Sequence, residues 1–109
     1  ENDVWDHKKM VKVVSHTPVE VEKFAALSKK GAWYDAIRHF VPEDKKLYTW
    51  WSYRAADFRK SNRGLRLDHI WTSPGLTPAV VPETARIHDD VREWERPSDH
   101  APVTVDLDL

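Results

Sequence analysis

The sequence contains no cysteine. That excludes a disulfide scaffold, a thiolate metal site and a cysteine nucleophile. No stretch approaches the ~18 consecutive apolar residues that a membrane helix needs, so no membrane association is expected. The opening residues, Glu1-Asn2-Asp3-Val4-Trp5-Asp6, are acidic and polar and do not read as a secretory signal. An intracellular protein is the expectation. Net charge is nearly lacking too, at −1. The chain has 109 residues, 40% hydrophobic and 32% charged, which suits one small globular domain with a single core.

Two features stand out against these absences. Six residues are tryptophan, several times the usual density. The near-zero charge also hides a segregation. Residues 1–44 carry seven basic and eight acidic residues. Residues 45–66 carry seven basic residues against one acid, Asp57. Residues 67–109 carry three basic and nine acidic residues. A basic block containing aromatics, followed by an acidic block, suits a site where polyanion and cation meet. The plainer reading is a solvated loop.

The residue pattern predicts a mixed chain, helical first and extended later. Residues 1–15 show no clean period, because Lys8, Lys9 and Lys12 interrupt Trp5, Met10, Val11, Val13 and Val14. An irregular segment with a short strand is expected. Thr17-Pro18-Val19-Glu20 carries a helix cap, a proline at the first helical position and a glutamate three residues after the cap. Val21, Phe24, Ala25, Leu27 and Ser28 then form one stripe of helical period, and Gly31 ends it. A second short helix is expected over Tyr34 to His39, with Trp33, Ile37 and Phe40 facing inward. Tyr48 to Tyr53 and Leu65 to Trp71 read as strands, separated by a basic loop from Arg54 to Gly64. A weaker strand follows over Ala79 to His88, and a clear final one carries Val103, Val105, Leu107 and Leu109. Trp51 is expected in the core, and Trp5, Trp33, Trp71 and Trp94 in the core or at its rim.

Three groups of residues could carry chemistry. Asp68, in Arg66-Leu67-Asp68-His69, lies in a strand that otherwise buries apolar residues. It shares a face with Arg66 and Ile70 and must be either exposed or paired. Asp99 and His100 sit between Pro97 and Pro102, in a stiffened junction leading into the last strand. Asp99 could bind a hard cation. His100 could act as a base or contact phosphate. A histidine in such work needs an orienting acceptor, for which Asp68 is a candidate. The third group is the aromatic and basic stretch from Tyr48 to Arg66, suited to stacking and phosphate contact. Its plainer reading is ordinary strand packing.

Together these pieces resemble a known family. Tyr48-Thr49-Trp50-Trp51-Ser52-Tyr53-Arg54, Asn62-Arg63-Gly64-Leu65-Arg66-Leu67-Asp68-His69-Ile70 and Glu95-Arg96-Pro97-Ser98-Asp99-His100-Ala101-Pro102-Val103, in that order, are similar to the C-terminal part of the exonuclease III and apurinic/apyrimidinic endonuclease family. Trp33-Tyr34-Asp35-Ala36-Ile37-Arg38-His39-Phe40 fits the same style. The family belongs to the endonuclease/exonuclease/phosphatase superfamily. The resemblance implies an α/β (α+β) fold, the C-terminal half of a two-sheet sandwich of the deoxyribonuclease-I-like type. Its strands would be mostly antiparallel, with one or two helices. Residues 1–109 would be the C-terminal portion, with the N-terminal half absent.

The resemblance also implies roles. His100, Asp68 and Asp99 are the catalytic candidates, and Asp99 and His100 the metal candidates. Trp50 and Leu65 would wall a pocket for a flipped abasic sugar, with Leu67 nearby. The family often carries phenylalanine and tryptophan at those two positions, so pocket shape would differ here. Arg54, Asn62, Arg63 and Arg66 would contact the DNA backbone, with Ser52 beside them on the substrate side. The implied whole enzyme is a Mg2+- or Mn2+-dependent DNA repair phosphodiesterase of the bacterial cytoplasm. It would act on double-stranded DNA with abasic sites or 3′-blocked ends. The Asn, Glu, Tyr and Gly-Asp-x-Asn motifs of the family's N-terminal half do not occur in this chain. The chain alone is therefore expected to be inactive and to leave its metal site unfilled. It is also expected to self-associate through the sheet face that the other half covers. The alternatives are a non-catalytic nucleic-acid-binding or assembly module, and a phosphodiesterase acting on a small phosphoester.

Overall fold

The computed structural model describes residues 2–10, 13, 15–42, 44–54 and 57–109. Glu1, Val11, Lys12, Val14, Glu43, Ala55 and Ala56 lie outside the described residues, including the apolar positions expected at Val11 and Val14.

The opening segment differs from its expectation. It forms one helical turn, α1 (His7–Met10), which Asp6 starts by accepting the Lys9 N–H at 3.2 Å. The expected strand is reduced to a single antiparallel bridge from Val4 to Leu65.

Helix α2 (Pro18–Lys30) starts as its sequence dictates. Thr17 Oγ1 donates to Glu20 Oε1 at 2.7 Å, and the other oxygen of Glu20 accepts the Ser15 N–H at 2.6 Å. The Thr17 hydroxyl, then the Ser15 N–H, hold the Glu20 carboxyl below its ordinary range. Gly31 caps the far end, with an ordinary right-handed φ of −85°. Ala32, at φ 52°, supplies the left-handed residue instead. Gly31 is glycine for a different reason: a Cβ there would collide with the Trp33 indole. The apolar stripe of α2 is not buried. Phe24 remains 43% and Leu27 57% exposed. Phe24 meets the rings of His69 and Trp71 at 4.9 and 4.8 Å, which covers one position of the stripe rather than all of it.

Asp35 ends strand β1 (Tyr34–Asp35) and caps helix α3 (Ala36–Phe40) by accepting the Arg38 N–H at 3.2 Å. Five residues give this helix a narrow inner face. Ile37 is buried, as expected, but Trp33 and Phe40 are exposed. Trp94 is exposed too, while Trp51 lies in the core.

The basic segment contains a helical turn, α4 (Phe58–Ser61), not an unbroken loop. Asp57 caps it through the N–H groups of Arg59 and Lys60, and Asn62 closes it at φ 46°.

Strand β2 (Trp71–Thr72) pairs antiparallel with β1, and β3 (Val80–Ile87) pairs antiparallel with β4 (Val103–Leu107). The β3–β4 register is irregular between Val81 and Arg86. Pro82 has no N–H to give the ladder there. Thr84 bridges the gap, donating to the Val81 carbonyl and accepting the Asp106 N–H, each at 2.7 Å.

The expected strands over 48–53 and 65–71 appear as short ladder contacts. Trp50 bridges Leu65 on one side and His100 on the other. The ladder stops because the Thr49 hydroxyl, not a carbonyl, takes the N–H groups of Leu67 and Asp68. Among the described residues, the core divides into three clusters. Val4, Met10 and Leu65 form one, Ile37, Leu47 and Ala85 another, and Trp51, Phe58 and Ala101 the third. Antiparallel pairing with few helices fits the expected α/β class. Among the described residues, no helix is long and apolar enough to cross a membrane.

Candidate active site

Residues 49–51 join the two segments that carry the candidate residues. Trp50 N donates to Leu65 O at 3.0 Å, and Leu65 N returns a bond to Trp50 O at 3.0 Å. On the other side, Trp51 N donates to Asp99 O at 3.1 Å and Ala101 N to Thr49 O at 2.8 Å. Segments distant in sequence thereby lie side by side.

This arrangement brings Asp68 to His100. His100 Nδ1 lies 2.7 Å from Asp68 Oδ2. Their side chains are 43% and 39% exposed, so Asp68 is both paired and open to solvent. A carboxylate only accepts, so the contact puts a proton on Nδ1, and in the neutral ring Nε2 is then the acceptor. The Ser98 hydroxyl accepts the His100 N–H at 3.1 Å and fixes the backbone before it. Asp68, Ser98, His100 and Pro102 help to line a cleft of about 400 Å³. Next to it, Asp99 Oδ2 accepts the Trp50 indole N–H at 2.9 Å. Asp68, Asp99, His100 and Trp50 thus form one connected group.

The substrate-side candidates divide. Trp50 and Leu67 pack, partly buried, on the cluster of Val4, Met10 and Leu65. Leu65 itself is buried and presents little surface. Trp5, which sequence reasoning assigned to core or rim, joins the same cluster. Two cations lie against its ring, Arg63 at 4.9 Å and Lys9 at 5.3 Å from the centroid. The signal available for Trp5 was its closeness in sequence to Lys8 and Lys9. Arg54 is exposed, and its N–H is held by the Ser52 hydroxyl at 3.1 Å. Asn62 Oδ1 accepts the Trp51 indole N–H at 3.2 Å, which ties the loop to the core.

Arg66 departs from its expected place on a DNA-facing surface. It is 3% exposed, with its guanidinium 2.5 Å from Asp35 Oδ1 and 3.6 Å from Asp3 Oδ1. Burial would raise the Asp35 carboxyl. The hydrogen bond and charge of Arg66, with the Arg38 N–H, outweigh it and hold Asp35 below its ordinary range. Beside this pair, burial and then the Arg66 charge push the His69 imidazole down.

A divalent cation of the hard type takes about six oxygen ligands. Among the described residues, no group of three or more His, Asp or Glu side chains could hold a metal ion. Asp99 and His100 alone do not make such a site, and one oxygen of Asp99 already receives the Trp50 N–H. A second, larger groove of about 540 Å³ lies beneath α2, lined by Val21, Phe24, Leu67 and His69 among others, and includes neither Asp68 nor His100.

Known proteins resemble this chain in sequence and fold. The sequence pattern of the Endonuclease/Exonuclease/phosphatase family matches residues 13–100. Exodeoxyribonuclease III of Haemophilus influenzae is 37% identical over 90 residues, covering 74% of this chain and 33% of that protein. A 3′ phosphatase from Neisseria, solved with a product DNA hairpin, superposes with a TM-score of 0.87 at 38% identity, over 100% of this chain and 40% of its own. An AP endonuclease from Archaeoglobus fulgidus superposes with a TM-score of 0.89 at 25% identity, over 99% of this chain and 40% of its own. The chain thus spans about a third of that bacterial relative's length. With that pattern matched over most of its length, the chain belongs to the endonuclease/exonuclease/phosphatase family, and within it is similar to exonuclease III and AP endonuclease members.

Proposed function

We propose that this chain carries the histidine–aspartate part of the active site of a DNA repair phosphodiesterase. The observation that carries the reading is the 2.7 Å contact between His100 Nδ1 and Asp68 Oδ2 at the cleft. Asp68 orients the ring and fixes its tautomer. His100 then offers Nε2 to the scissile phosphate region, as a proton acceptor or, when protonated, as a donor to a phosphate oxygen. Trp50, Leu67 and Trp5 supply apolar and stacking surface for an extruded sugar or base, and Lys9, Arg54 and Arg63 supply positive charge for the backbone. An abasic site or a 3′-blocked end is the substrate class, on the resemblance to the relatives above. A protein that works on DNA suits the cytoplasm of a bacterium, and the likeness to the Haemophilus influenzae relative supports that reading.

The chemistry of a divalent cation belongs to the whole enzyme. Asp99 would contribute one ligand, and the other ligands would come from outside this chain. The share of each relative that the chain covers supports this reading. The chain alone is then inactive. The partly exposed stripe of α2 suits contact with the remaining fold and, without it, self-association.

The test uses a duplex with one abasic site and magnesium. The chain alone should give no turnover above background. In the protein that joins this chain to the rest of its fold, His100→Ala should lower kcat by about a hundredfold or more. Turnover by the isolated chain near that of a full-length relative, or full activity of the His100→Ala enzyme, would overturn the proposal. A non-catalytic binding module remains a second reading. The observation that favours it is the contact of the Trp5 ring with both Lys9 and Arg63. It predicts salt-sensitive DNA binding with no cleavage in either form.

A further inference from the structure

Thr49 stands between the two halves of the histidine–aspartate pair. It is 1% exposed. Its hydroxyl oxygen accepts the backbone N–H groups of both Leu67 and Asp68, each at 3.0 Å. Its carbonyl accepts the Ala101 N–H at 2.8 Å, and its own N–H donates to Leu65 O at 2.9 Å. Asp68 is therefore held by the Thr49 side chain, and the residue after His100 by the Thr49 main chain.

In a regular strand, successive N–H groups point in opposite directions. Two successive N–H groups converging on one hydroxyl require the backbone to leave the ladder at Leu67 and Asp68. The turn has a consequence for the carboxylate. An unbroken strand would keep Asp68 on the face of Arg66, where Arg66 meets Asp35 and Asp3. Asp68 instead reaches His100. Hydroxyl oxygens carry two lone pairs, and Thr49 uses both on this turn.

We propose that Thr49 is a positioning residue: its hydroxyl holds the turn at Leu67–Asp68 that aims the Asp68 carboxylate at His100. The proposal rests on the reading of Asp68 and His100 given above. Thr49 faces no substrate; it acts through Asp68. The tolerance is small, because a hydrogen bond weakens steeply with distance and misalignment, and active groups must be held to within about half an ångström.

The experiment compares Thr49→Val, which keeps the shape and removes the acceptor, with Thr49→Ser, which keeps it. In the protein containing the complete fold, Thr49→Val should lower kcat for abasic-site cleavage about 10- to 100-fold, while KM stays within about twofold, since uniform binding is untouched. Thr49→Ser should restore kcat to near the native value. A second readout does not depend on activity. The ¹⁵N spectrum of the His100 imidazole should report the Nδ1–H tautomer in the native and Thr49→Ser proteins, and a mixture of tautomers in Thr49→Val. Should the valine variant fail to fold, Thr49→Cys takes its place, because a thiol is a weak acceptor of similar size.

A folded valine or cysteine variant with native kcat and a native imidazole spectrum overturns the proposal. So does a serine variant that folds but loses the Nδ1–H signature. His100→Ala separates the two readings. If that enzyme cleaved normally, the catalytic role of His100 would fall, while the imidazole spectrum would still decide the role of Thr49.

Discussion

Trp50 donates its indole N–H to Asp99 Oδ2 at 2.9 Å, so one side chain serves both the apolar wall and the carboxylate beside the cleft. Trp50→Phe keeps the ring surface and removes the donor. A single net hydrogen bond of about 1 kcal/mol corresponds to about a fivefold loss. Steady-state kinetics of the complete enzyme on an abasic duplex should show that loss in kcat/KM. Trp50→Ala should lose more, since stacking on a base is worth about 1–3 kcal/mol. Equal activity in the native and Trp50→Phe enzymes would mean that the indole bond is idle.

The Trp5 ring and the two cations against it form a second, electrostatic part of the surface. Arg63→Ala and Lys9→Ala should each weaken DNA binding across sequences and reduce the slope of log affinity against log salt by about one. Titrations at several salt concentrations measure this. Unchanged slopes would remove these residues from the DNA contact.

Arg66 makes the opposite prediction. Its guanidinium is buried against Asp35 and Asp3. Breaking a buried pair by removing one partner costs about 3–5 kcal/mol. Arg66→Ala should therefore lower the urea midpoint strongly. A variant of native stability that had lost only DNA affinity would return Arg66 to the surface role its sequence first suggested.

Gly64 is buried under Tyr48, and a Cβ there would lie 2.5 Å from the ring carbon Cγ. Gly64→Ala must push the ring or the backbone aside, at about 1–3 kcal/mol. Thermal unfolding should show the loss. The Tyr48 Cβ lies 2.6 Å from the same point, so Tyr48→Gly, which removes it with the ring, should relieve most of the loss in the double variant, and additive losses would argue against the clash.

Stability should also fall in mild acid. Burial, then the Arg66 charge, lowers the His69 imidazole below its ordinary value of 6.5. Below that pH the unfolded chain binds the proton more readily than the folded one, so stability is present above about 6.5 and declines as pH drops through the folded value. Burial lowers His16 as well, in the same direction. Urea unfolding between pH 7.5 and 5, read as a trend over about two units, should flatten in His69→Gln. A slope unchanged by that substitution would assign the effect elsewhere.

Much of this organisation was legible in the residues. Thr17-Pro18-Val19-Glu20 specified the start of α2 through purely local hydrogen bonds, and local bonds are what a sequence displays. The alternation from Val103 onward matched β4 for the same reason. Asp68 and His100 were nominated together, and the structure brings them within 2.7 Å. What failed was decided by distant partners. Arg66 read as part of a basic surface because Asp3 and Asp35 are far from it in sequence. The helical turn Phe58–Ser61 was hidden in a basic loop, although Asp57 is a cap that could have been noticed. The stripe of α2 had a helical period, but a period does not say whether anything covers it.

The spacing of the site along the chain has its own consequence. The bond from Asp68 to His100 spans 32 residues, and the bond from Trp50 to Asp99 spans 49. Loops of that size must close before either contact exists, and the entropy of closure precedes any return from the contact. The site is thus a late product of folding rather than a local motif. It cannot be transplanted as a peptide. A single backbone nick between residues 69 and 98 would turn its formation from an internal closure into an encounter between two chains.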